Sequence, residues 1–129
     1  MSDIKTLTKK INHWVKERGW EKGQKPKDLA ISLCLEAAEV LEHFQWRNDK
    51  KSLQHVKENK EEVADELADV AIYLFKLADK IKINLADSIE KKLIKASKKY
   101  PVEAVKNNAQ NYYLIKKRSR INRKAKSTR

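Results

Sequence analysis

Apolar residues recur at three- and four-residue intervals along most of the chain, and only two glycines and two prolines among 129 residues interrupt them. That spacing is the signature of amphipathic helices, so the pattern excludes a turn-rich β protein and predicts an all-α helical bundle of four or five helices. Ile4, Leu7, Ile11, Trp14 and Val15 form a first stripe behind Asp3, a good N-cap, so a first helix is expected from about residue 3 to Glu17, stopped by Gly19. After the loop GWEKGQKPKD, Pro26 suits the first turn of a second helix. Leu29, Leu33, Ala37, Val40, Leu41 and Phe44 then carry its apolar face to about Gln45. NDKK at 48–51 reads as a connector. One long third helix is expected over about 52–81, on Val63, Leu67, Val70, Ala71, Leu74, Ala78 and Ile81. A fourth, capped by Asn84, ends at Tyr100 because the residue before Pro101 is disfavoured in the α region.

Leu35, Trp46, Ile72 and Phe75 fall well off these stripes. A second apolar face on a chain of this size is expected to close against another copy of itself, giving a homo-oligomer, a dimer or tetramer.

The net charge of +12 is unevenly placed. Residues 106–129 hold nine basic residues and no acid, which leaves 21 basic and 18 acidic residues in 1–105. Residues 1–105 therefore read as the folded domain. The stretch 106–129 reads as a basic extension, partly disordered: Tyr112 to Ile115 can extend a helix along the bundle or a partner subunit, and the residues after them are expected to be largely disordered. A single cysteine, Cys34, excludes an internal disulfide and a cysteine-rich zinc site. No apolar run approaches the length of a membrane span and MSDIKTLTKK lacks a signal peptide's hydrophobic stretch, so a cytoplasmic protein with no membrane partner is expected.

Chemistry concentrates in two segments. Glu36 and Glu39 sit three residues apart beside the apolar stripe of the second helix, and Glu66 and Asp69 repeat that spacing on the third, with Glu62 and Asp65 one turn earlier and Tyr73 one turn later. Their surroundings, LCLEAAEVLEHFQW and VADELADVAIYLF, are mostly apolar and nearly free of lysine, unlike a solvated charged face. If the two helices pack antiparallel, the pairs face each other. Oxygen-only ligation without His or Cys selects a hard cation, Mg²⁺ or Mn²⁺.

These segments, with DVAIYL and the closing KYP, resemble the MazG-like nucleotide pyrophosphohydrolases, in particular the small all-α branch that includes the dCTP pyrophosphatases, over about residues 10–105. The resemblance implies an all-α oligomeric enzyme that cleaves a nucleoside triphosphate to monophosphate and pyrophosphate with Mg²⁺, for which Mn²⁺ can substitute. It implies that Glu36, Glu39, Glu66 and Asp69 bind the metal; the chemistry of water attack on phosphorus also asks one acid to accept the water's proton, with Glu39 and Glu36 the candidates. Trp20, Trp46 and Tyr73 are the aromatic candidates for the base, and of the lysines at 92, 95, 98 and 99 the resemblance favours Lys92 and Lys99 for phosphate. His43 reads as a structural residue. The chain departs from dCTP-preferring relatives at Ile11, where they tend to carry His, at Lys22, Gly23 and Gln24, where their loop often reads QFH, and at Ala96, where Asn is common. The rival expectation is a basic helical adaptor that binds nucleic acid or another polyanion through the tail, with the acids merely a charged face.

Overall fold

The computed structural model describes residues 3–127, and among these the protein is all-α, with no strand. Seven α-helices run α1 (Ile4–Glu17), α2 (Pro26–Glu42), α3 (Asp49–Glu58), α4 (Lys60–Lys80), α5 (Leu85–Lys99), α6 (Val102–Val105) and α7 (Ala109–Ser127), with a 3₁₀ turn at Glu21–Gly23 between the first two. The chain divides into two compact units, one reaching Leu85 and one starting at Ala86.

In the first unit α2 and α4 form the central pair, and α1 and α3 pack on α4. The predicted caps operate. Asp3 Oδ1 accepts from the Thr6 amide at 2.7 Å, Pro26 occupies the first turn of α2, and Gly19 takes φ +65° just past the end of α1, a left-handed conformation that costs a side-chain-bearing residue more than glycine. Among the described residues Val15, Leu29, Val63 and Ala78 are the buried ones, and they tie α1, α2 and α4 together. Leu29 near the start of α2 lines one cavity with Lys76 near the end of α4, whereas Glu39 near the end of α2 lines another with Glu66 in the first half of α4. The pair is therefore antiparallel.

The single long helix expected over 52–81 is instead two. Asn48 Oδ1 accepts from the Lys51 amide at 3.0 Å, so NDKK caps and begins α3 rather than forming a connector. At Asn59 the backbone leaves helical geometry (φ −124°, ψ 40°), and its side-chain amide turns back onto the His55 carbonyl at 3.0 Å. Asparagine side chains compete for backbone groups in this way, and two of them bracket α3. Apolar periodicity, which continues past the break, does not register it.

In the second unit, α5 ends at Lys99, before Pro101 as expected. Residues 128 and 129 lie outside the described residues; before them α7 is helical from Ala109 to Ser127, so the stretch after Ile115, expected to be largely disordered, is helical as far as Ser127. Asn108 Oδ1 caps it by accepting from the Asn111 amide at 3.0 Å, Asn111 Nδ2 donates to the Ala104 carbonyl at 2.6 Å, and the Tyr112 ring lies 5.0 Å from that of Tyr100. With no Gly or Pro from 109 on, Lys and Arg act as the good helix formers they are.

Candidate metal centre

The antiparallel α2–α4 pair brings the two acidic motifs together. Glu36, Glu39 and Glu66 each place a carboxylate oxygen within 4.8 Å of the others. Asp69 follows Glu66 by one turn, and its charge acts on both Glu36 and Glu66. Glu36, Glu66 and Asp69 are half-buried while Glu39 is exposed. Glu62 and Asp65, one turn earlier, are exposed and lie outside the converging set.

The electrostatics are those of crowded, partly desolvated carboxylates. Loss of solvent raises the pKa of Glu36 above the usual carboxylate value, and the charges of Glu39 and Asp69 add to it. Glu66 is raised in the same direction, first by desolvation, then by a side-chain hydrogen bond with Glu39 and by the charges of Glu39, Asp69 and Glu36. Among the described residues no lysine or arginine forms a salt bridge with any of the four acids. Glu66 Oε2 is buried and no donor reaches it. A buried carboxylate oxygen left unmet is costly, and an all-oxygen donor set without His or Cys meets the needs of a hard divalent cation, so these residues fit one.

Beside the acids opens a cavity of about 390 Å³ lined by Glu39, Glu42, His43, Arg47, His55 and Glu66. Asn59 Nδ2 lies 3.1 Å from His55 Nδ1 and also donates to the His55 carbonyl. An amide nitrogen can only donate, so His55 Nδ1 accepts. In the neutral ring the proton is then on His55 Nε2, which lies 2.8 Å from His43 Nδ1 and donates to it. Arg47 Nη1 donates to the carbonyls of His43 at 2.8 Å and Glu42 at 3.2 Å, satisfying the end of α2. His43 is thus hydrogen-bonded, in keeping with its structural reading, while nothing in the apolar pattern marks His55 or Arg47. Their partnership crosses a turn and a helix start, where periodicity carries no information; the His55–Asn59 spacing of four was the available signal.

The aromatic candidates lie apart from that cavity. The Trp20 ring packs edge-on against Trp14 at 5.2 Å, Trp46 is 84% exposed in the turn after α2, and Tyr73 is half-buried with Lys76 Nζ 4.5 Å from its ring centroid. Lys92 and Lys99 belong to α5 in the second unit, where Lys92 is exposed and Lys99 Nζ lies 4.9 Å from the Tyr100 ring.

The helical pair that confronts E-x-x-E with E-x-x-D makes this an all-α protein with an acidic cluster between two packed helices. The chain belongs to the MazG-like family, whose model matches residues 31–113. It is 34% identical over 98 residues to dCTP pyrophosphatase 1 of Rattus norvegicus, covering 74% of this chain and 58% of that protein. It is 31% identical over the same length to dCTP pyrophosphatase 1 of Homo sapiens. The chain thus spans 58% of the length of these curated relatives. A pyrophosphatase crystal structure from Archaeoglobus fulgidus superposes with a TM-score of 0.73 at 37% identity, over 78% of this chain and 94% of that one.

Proposed function

We propose that the protein is a nucleoside triphosphate pyrophosphohydrolase that depends on Mg²⁺, with Mn²⁺ able to substitute, and that it converts a (d)NTP to the monophosphate and pyrophosphate in control or cleansing of the nucleotide pool. The observation that carries this reading is the convergence of Glu36, Glu39 and Glu66 around a buried, unpartnered Glu66 oxygen. Family membership and likeness to dCTP pyrophosphatases support it. Water oxygen bonds to the α-phosphorus, the α–β bridging P–O bond breaks, and pyrophosphate leaves. A bound divalent ion supplies charge neutralisation for the triphosphate and a more acidic, oriented water. In this reading Glu36, Glu39, Glu66 and Asp69 hold the ion, and Glu39, the most solvent-accessible of the four, takes the water's proton, with Glu36 the other candidate. Trp20, Trp46 and Tyr73 contact the base and Lys92 and Lys99 the phosphates.

The same reading includes a homo-oligomer, dimer or tetramer. Leu35, Leu41, Leu67 and Trp46 are each more than half exposed, an apolar surface suited to a second copy. Among the described residues no helix is long and apolar enough to cross a membrane, and a cytoplasmic location suits a nucleotide substrate.

The test is a panel of ordinary and modified (d)NTPs assayed for pyrophosphate and monophosphate with each metal; release of orthophosphate, or no cleavage with either ion, defeats the proposal. One observation favours a second activity. The nineteen residues of α7 contain many basic residues and no acid, so this helix offers a polyanion a one-sided charge. Salt-dependent binding of an oligonucleotide that vanishes on charge reversal of Lys116, Lys117 and Arg120, and ignores Glu39→Gln, is the expected signature of that activity.

A further inference from the structure

A second cavity, of about 270 Å³, lies at the opposite end of the α2–α4 pair, between α1, the 3₁₀ turn, the start of α2 and the end of α4. One wall is internally satisfied, since Asn12 Nδ2 donates to Asp79 Oδ2 at 3.0 Å. Two other lining groups are not. Gln24 Nε2 donates to the Trp20 carbonyl at 3.2 Å, which fixes the amide orientation and leaves Gln24 Oε1 buried with no hydrogen-bond partner. Lys76 has no salt bridge among the described residues and rests over the Tyr73 ring, and loss of solvent lowers its pKa. A desolvated donor and an unmet acceptor therefore share one cavity, which Lys80 and Lys82 also line.

Glu66, Asp69, Tyr73 and Lys76 succeed each other at three- and four-residue spacing along one edge of α4, and the seven residues from Asp69 to Lys76 advance about 10 Å along the axis. That is roughly the reach of a nucleoside monophosphate from its phosphorus to the far edge of its base. Glu21, Asp79, Lys80 and Lys82 also line the cavity, so its remaining charges are mixed and balanced in sign, whereas a neutral group that accepts one hydrogen bond and donates another answers both unmet atoms.

We infer that this cavity receives the edge of the nucleobase, with Lys76 Nζ donating to a ring nitrogen or carbonyl oxygen and Gln24 Oε1 accepting from an amino group or ring N–H. Lys76 and Gln24 are then specificity-determining residues. The inference rests on the proposed activity. A site built to pair polar edges discriminates strongly, because the wrong base leaves its buried groups unmet.

The experiment compares unmodified protein with Lys76→Met and Gln24→Leu. It measures KM and kcat over the four bases, equilibrium binding of α,β-methylene analogues, and inhibition by inorganic tripolyphosphate. Circular dichroism verifies folding, and Lys76→Arg, which keeps a donor, provides partial rescue. Expected is a rise of about tenfold in KM for the preferred base with kcat within twofold, base preferences compressed toward unity, and unchanged tripolyphosphate inhibition. Cleavage with base preferences unaltered in both variants overturns the inference while the activity stands. Selective analogue binding lost in Lys76→Met but without turnover retains the inference and defeats the activity. Absence of any nucleotide binding overturns both.

Discussion

The two ends of the α2–α4 pair carry unmet demands of different kinds. At one end Glu36, Glu39, Glu66 and Asp69 crowd negative charge around a buried, unpartnered oxygen. At the other, a desolvated Lys76 and the isolated Gln24 Oε1 face a cavity. Neither arrangement favours burial by itself, and in the proposed reading each is relieved by a different chemistry: a cation in the first case, a neutral hydrogen-bonding edge in the second. A helix pair that keeps both is arranged for occupancy rather than for stability alone.

The contrast can be broken most severely at the acidic end. Glu39→Gln or Asp69→Asn should lower the rate of pyrophosphate release about 10²- to 10³-fold, as is typical when a group acting on transition-state charge is removed, with the fold retained by circular dichroism. A thermal scan then sharpens the assignment. Because Glu36 and Glu66 have raised pKa values, the folded, metal-free protein holds more protons than the unfolded chain, so these groups make its stability fall as pH rises from the usual glutamate value of 4.5 through their raised values. The metal must displace those protons, so the gain in Tm on adding Mg²⁺ should be several degrees near pH 8 and shrink toward pH 5. Glu66→Gln should raise the Tm of chelator-treated protein and abolish this pH-dependent gain; an unchanged Mg²⁺ response would remove Glu66 from the site. Cutting the His55 hydrogen bonds with His55→Ala should cost about 1 kcal/mol, read as a Tm drop of a few degrees, with the acids still competent. At the lysine end, Gly19→Ala meets no steric obstruction but keeps φ +65°, so it should cost about 1 kcal/mol of left-handed strain and show whether the turn into the Trp20–Gln24 loop is rigid.

The acidic end was largely legible in the sequence, since a three-residue spacing on each of two amphipathic helices implies facing acids once the helices are antiparallel. The α1 and α2 boundaries were legible through Asp3, Gly19 and Pro26 because caps act locally. The break at Asn59 was not, because the apolar stripe runs through it and only the side-chain amide on the His55 carbonyl reveals the interruption. The helical tail was hidden by its charge, which dominates composition, whereas Asn108 and the Tyr100–Tyr112 contact act through geometry. Lys76 looked like one more lysine in a basic chain. Its burial depends on α1 and the 3₁₀ turn, which lie more than fifty residues earlier.

The unbroken course of α4 from Glu66 to Lys76 makes the helix a ruler. Its graduations are fixed by hydrogen bonds, each residue adding about 1.5 Å and 100° of rotation. One residue inserted after Ala71 would lengthen the interval only slightly, yet swing Lys76 to a different side while the acids kept their places. Longer or shorter reach is therefore open to this scaffold only in near-whole turns, and the size of ligand the two ends can share is quantised by the helix itself.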